Sequence, residues 1–293
     1  MDRRELAWAA GFFDGDGWTA RVAHRSTGRA MAQINQASAT GVPEVLVRFQ
    51  AAVGGLGHIR GPKRKKGRKD LYCWFSTKRG VIEDIGRSLG PWLSPDKAAQ
   101  FRDAVGLETT RIEGAATEEL AWAAGFFDAE GSTYLEKHRT HADYFRVEAA
   151  ITQGCASGPA PELARFRCAT GISGHVYGPW EQEGATEPIY RWKIHRLSEV
   201  ELLLARLEPW LGTVKIEQAR AAIAVVRSQP VLPRGNPAWG SHKTHCIHGH
   251  AYEGARIRPY RSRGVGLQRR ANKQCLVCSR EQAKAKRSKV VPA

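Results

Sequence analysis

Two acidic residues, Asp16 and Glu130, follow the two copies of an internal repeat. The ten residues ELAWAAGFFD at 5–14 recur unchanged at 119–128, and each copy continues through a small residue to one of these acids and then a glycine. Alanine and glycine at helical spacing predict two helices that approach backbone to backbone. The acids would then meet at the negative ends of two helix dipoles, where a divalent cation offsets their repulsion. We therefore predict a Mg²⁺ or Mn²⁺ site that takes phosphate oxygens as its remaining ligands.

Each acidic stretch also has a purely structural interpretation. A single Asp-Gly-Asp-Gly sequence is more typical of a turn that ends a helix. That interpretation is weaker here, because both stretches follow the same apolar decapeptide.

A second group of metal-ligating residues lies in the C-terminal part of the sequence. Cys246-x-x-x-His250 is separated by 24 residues from Cys275-x-x-Cys278. Two close pairs of sulfur and imidazole ligands are typical of tetrahedral Zn²⁺ sites, and two neighbouring histidines are alternatives to His250. A polar segment of about 50 residues would gain folding free energy from such a metal. The alternative is a disordered basic tail whose cysteines bind nothing.

The composition predicts a folded protein that is neither exported nor membrane-bound. The 293 residues are 42% hydrophobic and 25% charged, which excludes a disordered chain, collagen and a coiled-coil rod. No apolar stretch approaches the roughly 20 residues that span a bilayer, and the N-terminus lacks a signal-peptide pattern. We expect a soluble, intracellular, cytoplasmic protein with no membrane partner.

The net charge of +16 predicts an anionic partner such as a nucleic acid. Residues 234–293 contain 14 Lys and Arg and two acids, a net charge of +12. Residues 1–112 hold 19 basic and 11 acidic residues, whereas residues 113–233 hold 12 and 16. The excess positive charge therefore lies in the tail and in the first half.

The repeat divides most of the chain into two similar units, residues 1–112 and 113–228, which predicts subdomains related by a pseudo-twofold axis. A linker at 229–243 would lead to a small zinc-finger-like module at 244–293. Asp2 and Thr117 are predicted to cap the repeated helices, with Glu5 and Glu119 completing capping boxes.

The hydrophobic patterns predict an α+β fold, in which each unit contains a helix, a hairpin, a helix, a hairpin and two helices. In the first unit the predicted strands are 19–24, 30–37, 57–61 and 72–76, and the predicted late helices are 81–89 and 94–105.

The segments AAGFFDGDG and AAGFFDAEG resemble the two signatures of single-chain LAGLIDADG homing endonucleases. The resemblance covers about residues 1–227 and implies two LAGLIDADG units whose antiparallel sheets form a saddle along the DNA major groove. It implies that the last acid of each motif, Asp16 or Glu130, binds catalytic metal. Enzymes of this family hydrolyse both strands of a long asymmetric site across the minor groove and leave short 3′ overhangs.

Four further positions match the family one at a time. Gln36 and Gln153 resemble the glutamine that positions water, although an ordinary sheet-edge amide is an equally simple interpretation. Lys97 and Lys215 resemble the lysine that polarises the water network or stabilises charge in the transition state, and their alternative is a solvated helix face. With the two acids they complete the predicted catalytic set.

The two units differ in the residues that would contact DNA. The segment 63–69 of the first unit is strongly basic, whereas the second unit has the acidic segment 180–184 there, so we expect the first half-site to be bound more strongly. A solvated charged surface is the alternative interpretation. Alternating strand residues would read base edges. The candidate contacts in the two units are Arg21, His24, Gln33, Arg60, Lys63, Arg64, Lys65, Lys66, Arg68, Lys69, Lys137, His138, Arg146 and Glu148.

The C-terminal segment resembles a treble-clef zinc finger whose second cysteine pair opens a helix at 279–289. Arg280, Lys284 and Arg287 on that helix predict an additional DNA clamp. A second nuclease centre of the His-Asn-His kind is disfavoured, because the sequence lacks a suitably spaced set of these residues.

Together these features predict a monomeric, site-specific double-strand DNA endonuclease of the kind that mobilises introns or inteins, with catalytic Mg²⁺ or Mn²⁺ and structural Zn²⁺. The competing prediction is an intron-RNA maturase or a non-cleaving DNA-binding regulator of the same fold. The presence of both acids favours the enzyme.

Overall fold

The structure is a computed structural model that describes most of the two repeat units and a few residues of the tail. The described residues are 2–23, 28–64, 66–138, 141–181, 186–230, 250, 275, 277, 278, 280, 281 and 284, with 138 and 141–143 described by their backbone only. The chain divides into two compact parts, Met1–Gln229 and Pro230–Ala293, and both repeat units lie in the first.

The described residues of the two units form the same succession of elements. The first unit contains α1 (Arg3–Asp16), β1 (Gly17–Val22), β2 (Arg29–Ser38), α2 (Glu44–Ala52), β3 (His58–Lys63), β4 (Asp70–Ser76), α3 (Arg79–Leu89) and α4 (Pro95–Val105). The second contains α5 (Ala116–Glu130), β5 (Gly131–His138), β6 (His141–Gly154), α6 (Pro161–Thr170), β7 (His175–Trp180), β8 (Ile189–Ile194), α7 (Leu197–Leu207) and α8 (Thr213–Ser228). This order confirms the predicted α+β succession in both units.

The described residues of each unit form a four-stranded antiparallel sheet, with strand order β1-β2-β4-β3 in the first and β5-β6-β8-β7 in the second. Gly17 pairs with Ile34 and Gly131 with Ile151, so the strand that follows each acid has the same register in both units. Ile34 and its neighbour Trp74 are fully buried, and Trp74 packs edge-on against Phe49 of α2. Because side chains alternate along a strand, the opposite side of each sheet carries the remaining residues, and we call it the open face.

The repeated helices α1 and α5 pack against each other at unusually short range. A Cβ atom on Gly11 would lie 1.9 Å from the carbonyl oxygen of Trp122, and one on Gly125 would lie 1.9 Å from that of Trp8. Only glycine permits this contact, because any side chain would enter the backbone of the other helix. The predicted close approach of the two helices is confirmed.

The two repeated helices begin differently. The side chain of Asp2 accepts a hydrogen bond from the backbone N–H of Arg4 and caps α1, as predicted. α5 begins after Ala115, which has no capping side chain, so the prediction that Thr117 caps this helix is wrong.

The predicted capping boxes are also wrong. The Glu5 carboxylate accepts hydrogen bonds from Arg48 at 3.0 and 2.8 Å, and the Glu119 carboxylate accepts two from Arg165 at 2.8 Å. A bidentate guanidinium on the neighbouring helix α2 or α6 is a stronger partner for a carboxylate than a backbone N–H.

Among the described residues, no helix is both long enough and apolar enough to cross a membrane.

We expect the Gly11→Ala substitution to destabilise the protein strongly, because the added methyl group cannot fit between the backbones of α1 and α5. Overpacking at such a contact costs at least about 2 kcal/mol in the free energy of unfolding, measurable by urea denaturation. Gly80→Ala is the matched control, since a Cβ there meets no atom within 4 Å. Equal stability of the two variants would contradict the contact.

Candidate active site

The C-terminal ends of α1 and α5 bring the two predicted metal-binding acids together. A Cβ atom on Gly15 would lie 2.4 Å from Cβ of Ala129 and 3.0 Å from Cγ of Glu130, so the two helix ends are in contact just before Asp16. Both acids are partly buried. Two carboxylates from opposite units therefore share one junction.

The environment of Asp16 disfavours its charged form. Burial, followed by the charge of Glu130, raises the pKa of Asp16 to about 7, while Lys215, the Gln36 amide and Lys97 oppose the shift. The amide nitrogen of Gln36 donates a hydrogen bond to Oδ2 of Asp16. Gln36 is thus held against the acid rather than at a solvated sheet edge.

Glu130 has a similar but looser environment. Burial raises the pKa of Glu130, and the Gln153 amide beside it, Lys97 and Lys215 lower it. Nε2 of Gln153 is buried without a hydrogen bond of ordinary geometry. The glutamine of the first unit is therefore held more firmly than that of the second.

The two predicted lysines also reach this junction. Lys97 is the third residue of α4 and donates its ammonium to the carbonyl oxygen of Gly17, whereas Lys215, the third residue of α8, donates to that of Gly131. These glycines directly follow the two acids. Burial lowers the pKa of both lysines, and surrounding carboxylates raise it. The structure thus gathers all six predicted catalytic residues at one place.

The donor set at this junction suits a hard divalent cation. It offers carboxylate oxygens from two chain segments and, on Gln36, an amide oxygen whose nitrogen is already engaged with Asp16. Oxygen ligands of this kind match Mg²⁺ and Mn²⁺. The raised pKa of each acid reflects a buried charge that a bound cation would neutralise.

Two buried aspartates near the junction were not predicted as functional residues. Asp14 is 4% exposed and Asp128 is 3% exposed, and each lies two residues before a predicted metal-binding acid. Trp122 Nε1 donates to Asp14 at 2.8 Å, and Trp8 Nε1 donates to Asp128 at 2.9 Å. Burial raises the pKa of both aspartates to about 6. Their place inside the identical decapeptide was the available sequence signal.

The open faces of the sheets contain only some of the predicted DNA contacts. Gln33 pairs with Trp18 on the open face, and Arg60 on the same face lies over the Phe75 ring at 4.4 Å. Arg21 and Lys137 lie on the opposite face of the sheets. Each shares its side of the strand with a buried threonine, Thr19 or Thr133. Arg146 lies on the open face of the second sheet.

Arg146 forms an ion pair with Glu136, with Nη2 and Oε2 separated by 2.6 Å. A second charged group on this open face centres on Glu148, which is 1% exposed. Tyr134, Arg191 and Lys193 all donate hydrogen bonds or form ion pairs with Glu148.

The equivalent positions of the first sheet are Ala20, Met31, Cys73 and Phe75. The open face of the second sheet is therefore charged where that of the first is apolar.

The basic segment of the first unit is exposed throughout its described length. Arg64 forms a 3.6 Å ion pair with Asp70, its side chain being 79% exposed. The other exposed basic side chains there are Lys63, Lys66, Arg68 and Lys69. His24, Lys65 and the side chain of His138 lie outside the described residues.

Three of the four predicted zinc ligands lie close together in the tail. Nδ1 of His250 is 3.2 Å from Sγ of Cys278 and 3.7 Å from Sγ of Cys275, and all three ligand atoms fall within 4.8 Å of one another. Tetrahedral zinc with its usual bond lengths separates nitrogen and sulfur ligands by roughly 3.6 Å. Cys246 lies outside the described residues.

The described residues after Cys275 support the predicted helix in part. Cys278, Arg280 and Lys284 have helical backbone, and the two basic side chains are exposed. Arg287 lies outside the described residues.

Comparison with known proteins gives a clear result for the fold. No protein-family model matches the sequence, and no curated protein matches it either. The solved structure of LAGLIDADG meganuclease I-CpaMI bound to uncleaved DNA is 11% identical, with a TM-score of 0.51, covering 78% of this chain and 91% of that chain. I-AabMI bound to uncleaved DNA is 14% identical, with a TM-score of 0.50 and the same coverages of 78% and 91%.

A third similar structure is LAGLIDADG homing endonuclease I-GzeII in complex with its DNA target. It is 12% identical, with a TM-score of 0.50, covering 85% of this chain and 94% of that chain. At such identities the likeness establishes the fold alone. The predicted architecture of two LAGLIDADG-like α+β units is thereby confirmed, whereas the zinc module stays a prediction.

Without divalent metal, we expect the Asp16→Asn variant to become more stable than the wild type as the pH rises. The pKa of Asp16 is about 7 in the folded protein against 3.8 for the ordinary carboxyl, so the folded state retains a proton that the unfolded state releases. The wild type therefore loses stability between pH 4 and pH 7 by at least about 1 kcal/mol, the value of one pKa unit.

Urea denaturation in a chelator at several pH values measures this difference. Asp103→Asn is the control, because that acid is 72% exposed and its variant should follow the wild type. Parallel pH profiles for wild type and Asp16→Asn would contradict the raised pKa of Asp16.

Proposed function

We propose that this protein is a site-specific double-strand DNA endonuclease. The observation that carries this proposal is the meeting of Asp16 and Glu130, from opposite repeat units, at one partly buried junction. Two lysines and two glutamines surround them. The DNA-bound nucleases of similar fold support the choice of substrate.

The chemistry of the proposed site is phosphodiester hydrolysis. Mg²⁺ or Mn²⁺ bound by Asp16 and Glu130 would activate water and neutralise phosphate charge. Gln36, through its hydrogen bond to Asp16, orients that carboxylate and can direct its amide oxygen to a water molecule. Gln153 has the corresponding place beside Glu130.

Lys97 and Lys215 supply positive charge at the same junction. Their ammonium groups are anchored to the backbone oxygens that follow the two acids, so little reorganisation is needed when charge develops on a scissile phosphate. A proton acceptor is supplied by the water network, and no histidine is required as base.

The surfaces proposed to bind DNA are unequal in the two halves. The basic side chains of 63–69, exposed at every described position, and Arg60 would contact phosphates of one half-site, and Gln33 would reach base edges. The opposite half has Glu181 and Trp180 at the position of the basic segment. We infer a long asymmetric target that is held more strongly by the first unit.

We propose the same domain division as the sequence predicts, with nuclease units at 1–112 and 113–228, a linker at 229–243 and a module at 244–293. In this module Zn²⁺ would be held by Cys246, His250, Cys275 and Cys278, and its role would be structural. Arg280, Lys284 and Arg287 would add DNA contacts. The protein would act as a monomer, since one chain contains both acid-bearing motifs.

We expect Asp16→Asn and Glu130→Gln each to slow cleavage by at least about 100-fold while leaving DNA affinity nearly unchanged. The target is first obtained by selecting tightly bound duplexes from a randomised pool without divalent metal. Cleavage is then started with Mg²⁺ and the new ends are mapped. Asp103→Asn serves as the control for removal of an exposed carboxylate.

Cleavage by the Asp16→Asn, Glu130→Gln double variant near the wild-type rate would eliminate the proposed centre. Selective binding without any cleavage by the wild type, in Mg²⁺ or Mn²⁺, would instead indicate a regulator or a maturase.

Purified protein is expected to contain about one equivalent of zinc, which Cys275→Ser should remove. Cys275 is buried next to His250, whereas Cys168 is exposed on α6, so Cys168→Ser is the matched control and should retain the metal. Elemental analysis makes the measurement. Zinc content that is unaffected by Cys275→Ser would place the metal elsewhere or exclude the module.

A further inference from the structure

Two buried aspartates, Asp14 and Asp128, have no role in the proposed hydrolysis, yet each is satisfied by donors from several segments. Both carboxylate oxygens of Asp14 lie 3.0 and 3.1 Å from the backbone nitrogen of Ser94, and one oxygen also accepts from Trp122 at 2.8 Å. A fully satisfied polar network in a low-dielectric interior is rigid. Asp14 therefore holds the groups that are hydrogen-bonded to it in fixed positions.

The partner of Asp14 in its own unit is the segment that carries a catalytic lysine. Ser94 is the N-cap of α4, and Lys97 lies three residues later on the first turn of that helix. By holding the N–H of Ser94, Asp14 fixes where α4 begins and hence where the Lys97 ammonium meets Gly17. Asp14 is in this sense a positioning residue.

The remaining partners of this segment belong to the other unit. Trp122 on α5 donates to Asp14, and Arg165 on α6 donates to the carbonyl oxygen of Trp92, two residues before Ser94, at 2.6 Å. The guanidinium carbon of Arg165 also lies 3.9 Å from the centroid of the Trp122 ring, so the two side chains stack on each other. The second unit thus holds the beginning of α4 at two points.

The second unit shows the mirror image of this arrangement. Asp128 accepts hydrogen bonds from the backbone N–H of Gly212, the N-cap of α8, and from Trp8 of the first unit. Arg48, stacked 4.0 Å from the Trp8 ring centroid, donates to the carbonyl oxygen of Trp210. The beginning of α8, which carries Lys215, is therefore held by the first unit.

We propose that each catalytic lysine is positioned by the opposite repeat unit, Lys97 through Trp122 and Arg165, and Lys215 through Trp8 and Arg48. The two halves of the active site are then mechanically coupled, so that neither lysine is placed correctly unless the other unit is docked. This inference rests on the proposed nuclease function for its catalytic consequence. The positioning of each lysine by the opposite unit does not depend on nuclease function.

Reciprocal Trp→Phe substitutions separate this coupling from a merely structural role. Trp122→Phe and Trp8→Phe each keep an aromatic ring against the neighbouring phenylalanine but remove the indole donor to one aspartate. Trp74→Phe and Trp192→Phe are matched controls, since these indoles donate to backbone oxygens of their own units.

The first measurement is hydrogen exchange of the two N-cap segments in the full chain. We expect Trp122→Phe to increase exchange at 92–97 but not at 210–215, and Trp8→Phe to do the reverse. The control variants should change neither segment selectively. Effects confined to the substituted unit would overturn the proposal, whether or not the protein is a nuclease.

The second measurement is the rate of cleavage of each strand of the selected target, with the two strands labelled differently. Each Trp→Phe variant should slow one strand by at least about 10-fold more than the other, because a misplacement of roughly 1 Å can cost about 100-fold in rate. The slowed strand should differ between Trp122→Phe and Trp8→Phe.

Equal slowing of cleavage on both strands, or slowing of the same strand by both variants, would overturn the inference. Cleavage by the wild type would still support the proposed nuclease function. If the Trp variants do not fold, Arg165→Lys and Arg48→Lys provide the same comparison. Lysine keeps the charge but cannot contact the carboxylate, the ring and the carbonyl oxygen together. A wild type that cleaves nothing refutes the proposed function, and hydrogen exchange alone then decides the coupling.

Discussion

The close contact of α1 and α5 is the constraint on which the rest of the structure depends. Gly11 and Gly125 allow each helix backbone to touch the other, and this contact places the two C-terminal ends side by side. Because Asp16 and Glu130 are the last residues of the two helices, their separation is set by helix geometry rather than by a flexible loop. A site built on rigid elements of this kind can hold two carboxylates in one junction.

Holding those carboxylates together has an electrostatic cost that the surroundings only partly offset. Burial raises the pKa of Asp16 and Glu130, and two lysines whose own pKa is lowered by burial lie close enough to oppose the shift. The site therefore stores unfavourable charge that a cation and a phosphate would relieve together. Each buried lysine ammonium also needs a hydrogen-bond acceptor, and a backbone carbonyl oxygen supplies it.

The pseudo-twofold symmetry is close around the paired helices and weaker on the open faces. Around the helices, Asp14, Trp122 and Arg165 repeat the geometry of Asp128, Trp8 and Arg48 closely. On the sheets, the charged group around Glu148 has only apolar counterparts. In the proposed nuclease, groups that share one reaction must match, whereas surfaces that would face the two halves of an asymmetric duplex are free to differ.

The sequence by itself determined the order of helices and strands, the two-unit architecture and the meeting of Asp16 with Glu130, because periodic burial and an exact repeat can be read directly along the chain. The glutamines and lysines at the junction were predicted only from the resemblance to LAGLIDADG endonucleases. It did not predict that Glu5 and Glu119 bind arginines rather than cap helices, or that Arg21 lies on the covered side of its sheet. Nor did it predict the crossed bonds from Trp122 to Asp14 and from Trp8 to Asp128. Only the tertiary structure decided these points, since each joins groups whose proximity arises from the docking of helices and sheets and leaves no spacing pattern along the chain.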